Sequence, residues 1–184
     1  MTKPKTQTSL GQRRRRQRIL NNVILVVTLV VIIAVSIYAL GRPTGVTLPP
    51  YLNRCLSLTK PLAYNSTFDL NILVDGVNQT IPASIGIAGT CIRPISTFTS
   101  SGAVHVNADQ NITYTLKDFF LVWGNSYGPT WATFNSQQLF SYRADNTHQI
   151  VLRVGNNSDS SFENFPLPRN GSSLSNPRIV ISYG

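Results

Sequence analysis

Val23–Leu40 reads VILVVTLVVIIAVSIYAL, a run with no charge whose only polar side-chain atoms belong to Thr28, Ser36 and Tyr38. Eighteen or more such residues, each rising about 1.5 Å along a helix, match a bilayer hydrocarbon core roughly 30 Å thick. The run therefore predicts a transmembrane helix, over residues 19–41 once Ile19 and Leu20 are included. Gly41-Arg42-Pro43 ends it, because proline removes a backbone donor and clashes with the preceding turn. Thr28 and Ser36 are the residues of this helix suited to packing against a neighbouring helix in the membrane.

The formal charge of +9 divides unevenly around the run. Lys3, Lys5, Arg13, Arg14, Arg15, Arg16 and Arg18 precede it with no acidic residue among them. Nine Lys/Arg and all seven Asp/Glu follow it, which leaves only +2 for the remainder. Residues 1–18 thus read as a basic cytoplasmic tail, since Lys and Arg beside a span stay on the cytoplasmic side and fix the C-terminal part outside. Attraction to anionic headgroups comes along with that placement. The nearly neutral remainder gives no basis for nucleic-acid binding. A cleaved signal peptide is the competing reading, because Ala39-Leu40-Gly41 has small-x-small spacing. The length of the apolar run and of its basic leader favours an uncleaved anchor.

Two cysteines, Cys55 and Cys91, lie beyond the span, where a pair is expected to oxidise to a disulfide. Without a C-x-x-C spacing they carry no zinc signature. Five N-x-Ser/Thr sequons, at Asn65, Asn78, Asn111, Asn156 and Asn170, all fall on the same side and point to a glycosylated extracytoplasmic surface.

Residues 42–60, with Pro49-Pro50, read as an extended stalk, and residues 61–184 as a β-rich domain. Phe68, Leu70, Ile72 and Val74 alternate with polar neighbours, the period of a half-buried strand. Asp75-Gly76 then predicts a two-residue hairpin turn into Val77–Ile81. Further strands are expected over Ile92–Thr99, Ala103–Val106, Asn111–Leu116, Ser136–Tyr142, Gln149–Val154 and Arg178–Tyr183, with 156–161 as a polar loop. Thr115-x-x-Asp118 has the form of a helix N-cap, followed by a short apolar helix over Phe119–Trp123 and stopped by Gly124. The fold expected is mainly β: a single N-terminal transmembrane helix, then a compact β-sandwich or barrel ectodomain with one short helix.

Chemistry-bearing residues are sparse. His105 and His148 are the only histidines; His105 falls in an alternating strand, where a satisfied strand histidine outweighs a metal ligand. No G-x-S-x-G elbow, phosphate loop or G-x-G-x-x-G occurs. Phe119, Phe120, Trp123, Tyr127, Trp131 and Phe134 cluster within sixteen residues. They read first as core, with Tyr127 and Trp131, in the Gly/Pro loop, as the exposed members available to a partner.

Leu70-Asn71-Ile72-Leu73-Val74-Asp75-Gly76, followed by Thr80-Ile81-Pro82-Ala83-Ser84-Ile85-Gly86-Ile87, resembles a small secreted domain family common in archaea, many of whose members are membrane-anchored. Ile95–Asn107, Tyr114–Gly124, Phe162–Leu167 and Arg178–Gly184 are similar to its later segments, so the resemblance covers about Phe68 to Gly184. The family's histidine-rich positions imply metal binding. Here those positions hold Thr67, Asp69, Ser96, Phe98 and Thr99; His105 alone remains, and Asn107 replaces the final acid. The resemblance therefore implies fold and cell-surface placement without the metal.

Together these readings lead to the expectation of a single-pass, N-in/C-out membrane protein, without cofactor or catalysis. It would act as an accessory or structural subunit of a membrane or cell-envelope assembly, with the lipid bilayer and neighbouring subunits as partners. The alternatives are a metal-handling surface protein using His105, and a cell-surface adhesion or filament component.

Overall fold

The computed structural model describes residues 23–32, 46–57, 59–169 and 177–184. The chain divides into two units, Met1–Pro43 and Thr44–Gly184. In the first, residues 23–32 form a helix, α1, with exposed side chains. Thr28 donates its hydroxyl to the Ile24 carbonyl at 2.9 Å, one turn back. No helix among the described residues is long and apolar enough to cross a membrane. The basic tail, Ser36, the rest of the expected span and Asn170 lie outside the described residues.

The second unit is built on β1 (Tyr64–Val74), the longest strand. Its alternation holds from Phe68 to Val74: Phe68, Leu70, Ile72 and Val74 are buried while Asp69 is exposed. Asp75 and Gly76, at φ 50° and 76°, turn the chain into β2 (Val77–Gln79). These positive values at both central residues are what a type I′ turn requires. β6 (Ala103–Ala108) pairs antiparallel with the first half of β1, and β5 (Ile95–Ser96) lies beyond β6. On its other side β1 runs parallel to β12 (Arg178–Tyr183). β10 (Ile150–Val154) and β11 (Asn157–Asp159) complete the sheet, in the order β11-β10-β12-β1-β6-β5 with β2 also on β1. Two small sheets stand apart: β3 (Ile87–Ala88) with β4 (Cys91–Ile92), and the meander β7 (Phe134–Asn135), β8 (Gln138–Leu139), β9 (Tyr142–Arg143).

The layer facing the main sheet is a helix, α2 (Leu116–Tyr127), rather than the second sheet of a sandwich, and the strand order does not close into a barrel among the described residues. The spacing explains the packing. Leu116, Phe119, Phe120 and Trp123 fall on one helical stripe and are fully buried. Each such side chain contributes about 1.5–3 kcal/mol by leaving water. They share one core with Phe68, Leu70, Val104, Leu152, Ile179 and Ile181 of the sheet.

Thr115 and Asp118 form the expected capping box, but Gly124 does not stop the helix, which continues to Tyr127 and ends at Gly128. A side chain at 124 would sit 2.4 Å from the Ala132 Cβ. Gly124 is thus a packing residue, letting the following short 3₁₀ turn, Pro129–Ala132, close in until Trp131 stacks on Trp123 at 5.1 Å. Three other segments depart from expectation. Residues 111–116 hold no strand before the helix, only a bridge from Thr115 to Pro166. Ser136–Tyr142 folds back on itself as β8 and β9, with Phe140 at φ 55°. The polar 156–161 segment contains β11, because Gly155-Asn156 forms a second two-residue turn.

The stretch expected as a stalk belongs to the domain from Val46 onward. Leu48 and Leu52 are buried in the core. Asn125 donates to the Val46 carbonyl at 2.7 Å, Tyr51 to Asp118 at 2.8 Å and Arg54 to Asp109 at 2.6 Å. Apolar residues at 48 and 52 sit one helical turn apart in sequence, but the tethers hold them as a strap lying on the fold.

Candidate functional site

The face of the sheet turned away from α2 carries the half of each alternation opposite the core residues, polar in β5 and β6 except for Ala103 and mixed elsewhere. Across β5, β6 and β1, Ser96, His105 and Thr67 stand in register, so their side chains form one row on that face. Thr67 Oγ1 and His105 Nδ1 lie 3.0 Å apart, within hydrogen-bonding distance. The Phe98 ring meets the imidazole edge-on at 5.0 Å. Asn107 follows two residues along β6 on the same face. Two buried oxygens here, Ser96 Oγ and Asn107 Oδ1, have no hydrogen-bond partner among the described residues. Such groups are expensive to leave unpaired and mark a place where a donor is wanted.

Beside this row opens a cleft of about 290 Å³. Leu56, Leu62, Ile92 and Phe98 form its apolar walls, with Lys60 and Asn107 as polar groups at its margin. The walls are fixed covalently. Cys55 and Cys91 form a disulfide with Cα atoms 5.0 Å apart, and the Leu56 N–H donates to the Ile92 carbonyl at 2.8 Å. The bond thus joins the strap to β4 and brings together the two residues that directly follow the half-cystines. Phe98 and Leu62 are 47% and 41% exposed, unusual for large apolar side chains in a domain that buries so many others. Chemically the cleft can take an apolar side chain or small apolar group carrying an anionic or acceptor end toward Lys60 and a donor toward Asn107.

The positions singled out by resemblance, Thr67, Ser96, Phe98 and His105, are brought together; Asp69 is exposed on the same face of β1, opposite Ala103 and Arg178. They supply one imidazole, two hydroxyls and a phenyl ring. No group of three or more His, Cys, Asp or Glu suited to a metal occurs among the described residues. His148 lies in a separate turn, stacked on Tyr183 at 5.3 Å and 3.2 Å from Asp145. The Thr147 hydroxyl, then the backbone N–H groups of Thr147 and His148, hold the Asp145 carboxyl well below the usual range.

Of the aromatic cluster, Phe119, Phe120, Trp123 and Phe134 are core. Trp131 is half-buried against Trp123 and Phe140 rather than displayed. Tyr127 is 47% exposed and donates its hydroxyl to the Ala83 carbonyl. Asn65, Asn78, Asn111 and Asn156 are all exposed. Leu56, Lys60, Leu62 and Ile92 carry no motif. The one signal that pointed to two of them was adjacency to the cysteines.

No family model, curated protein or solved structure matches the chain.

Proposed function

We propose that the chain is a single-pass membrane protein, N-terminus inside, whose glycosylated extracytoplasmic domain serves as a non-catalytic accessory or structural subunit of a membrane or cell-envelope assembly. The observation that carries this reading is the stapled apolar cleft with Phe98 and Leu62 at its mouth. A rigid socket with an exposed aromatic lip suits a partner side chain, because hot spots are aromatic or apolar anchors seated in preformed pockets. The uncharged run Val23–Leu40 and the basic tail before it support the membrane placement.

Gentle detergent extraction of the full chain from its native membranes, followed by native mass measurement, tests the proposal. A heteromeric complex is expected, and Phe98→Ala should release the partner while leaving the thermal melt of the domain nearly unchanged. A wild-type chain that extracts only as a monomer overturns it.

A further inference from the structure

Hydrogen-bond alternation in the two hairpins locates the open edges of the main sheet. Asp75-Gly76 closes on the pair Val74–Val77, and Gly155-Asn156 closes on Val154–Asn157. In two-residue hairpins that first pair exchanges its hydrogen bonds, so the next residue on the outer strand turns its N–H and C=O away from the partner. Those residues are Asn78 on β2 and Ser158 on β11. Neither strand has a further neighbour among the described residues. The third edge, β5, is closed by the chain itself: Ser84 N–H donates to Thr97 C=O at 2.8 Å, and Thr97 N–H to Ile85 C=O at 3.0 Å.

β11 is itself polar, but each open edge has apolar side chains on it or beside it. Val77 on β2 is 63% exposed, and an open groove of about 280 Å³ beside β11 is lined by the half-buried Val151 and Phe162 together with Ser158 and Asp159. An unpaired strand with apolar surface beside it is a template for pairing with another chain. β2 and β11 are short, three residues each, and β11 carries Asp159, but neither has the lysine or proline that blunts such an edge most directly. What each does carry, at the outward-facing residue or beside it, is a sequon: Asn78-Gln79-Thr80 and Asn156-Asn157-Ser158.

We infer that N-linked sugars at Asn78 and Asn156 guard the two open edges against strand addition from a second copy of the chain. This rests on the extracytoplasmic, glycosylated placement proposed above. The donor is a lipid-phosphate-linked oligosaccharide. The asparagine Nδ2 forms a bond to the sugar C1 as the C1–O bond to the lipid phosphate breaks, and one amide proton is released. A sugar on Asn78 stands on the very residue whose backbone faces outward. A sugar on Asn156 stands at the hairpin tip, two residues from Ser158.

The test uses the full chain, purified in detergent from a host that attaches N-linked sugars. Glycopeptide masses report occupancy, and sedimentation velocity reports self-association. Thr80→Ala with Ser158→Ala removes both edge sequons and leaves both asparagines in place. The associated fraction should rise about tenfold, as expected when protected edges are bared. Asn65→Gln with Asn111→Gln, removing sugars away from these edges, should sediment as wild type. Two variants separate edge pairing from a general loss of solubility. Ser158→Pro loses the same sugar as Ser158→Ala but also the outward N–H, so it should associate less. Asn156→Lys replaces the sugar with a charge and should stay dispersed even if the proline variant fails to fold. Occupied sugars at Asn78 and Asn156 with no association on their removal overturn the inference while leaving the membrane placement standing. Absence of sugar from every sequon overturns the glycosylated placement and the inference with it.

Discussion

Tyr51 donates its phenolic hydrogen to Asp118 Oδ1 at 2.8 Å, while Asp118 Oδ2 accepts the Thr115 N–H at 2.9 Å and so caps α2. One buried carboxylate thus fixes both the start of the helix and the strap that crosses it. Tyr51→Phe should lower stability by about 1.5–3 kcal/mol, the range for a hydrogen bond to a charged group. Asp118→Ala should cost more, because it also removes the cap, itself about 1 kcal/mol. Urea melts of the two single variants and the double variant should show non-additivity of at least about 0.5 kcal/mol.

The same contact makes the domain sensitive to alkali. Burial, then the hydrogen bond to Asp118 and its charge, push the Tyr51 phenol from 10.0 up to about 12. The unfolded chain releases this proton near pH 10 and the folded chain near 12, so proton loss in that window favours unfolding. The stabilisation is complete below pH 10 and gone above about 12. Denaturant midpoints measured from pH 9 to 12 should fall more steeply for the wild type than for Tyr51→Phe. Burial also raises Tyr114 and Tyr183, which remain in both proteins and set the residual slope.

Reduction of Cys55–Cys91 opens a loop of 36 residues. In the chain-entropy account its closure contributes about 3–4 kcal/mol. Cys55→Ser with Cys91→Ser should lower the melting temperature by several degrees. Hydrogen exchange at Leu56, whose N–H is bonded to Ile92, should accelerate more than exchange in β1, because the bond holds the cleft walls directly.

Gly86 and Gly89 have nearly the same backbone angle, φ 72° and 59°, but different surroundings. A Cβ at 86 would lie 2.1 Å from the Ile95 carbonyl oxygen, whereas one at 89 meets nothing within 4 Å. Gly89→Ala should cost only the left-handed backbone penalty, about 1–2 kcal/mol. Gly86→Ala must also displace the β5 backbone and should exceed it by at least about 1 kcal/mol in equilibrium unfolding.

Local chemistry was readable where it was self-contained. Asp75-Gly76 specified its turn, the alternation from Phe68 to Val74 its strand, and Thr115-x-x-Asp118 its cap. What the sequence concealed was set by distant partners. Gly124 looks like a helix stop until Ala132 is seen filling the space a side chain would take. Leu48 and Leu52 look like stalk residues because their burial depends on tethers to Asp109, Asp118 and Asn125, far along the chain. β11 looks like a polar loop because an edge strand of Asn, Ser and Asp carries little apolar pattern of its own. At the candidate site, His105 was placed in its strand, but the cleft walls come from three separate stretches that only the disulfide and the sheet register bring together.

β1 and β12 lie side by side and parallel, pairing Asp69 with Arg178 through to Val74 with Tyr183, more than a hundred residues apart. A chain made from its N-terminus presents β1 long before this neighbour. Until β12 arrives, one flank of β1 from Asp69 to Val74 is unpaired, and β10 lacks the strand that joins it to the rest. β1, β2, β6 and β5 can pair without β12, but β10 and β11 cannot join them. Completing the sheet therefore waits on a pairing between distant segments, which slows folding and leaves unpaired strand edges open to wrong partners until it forms.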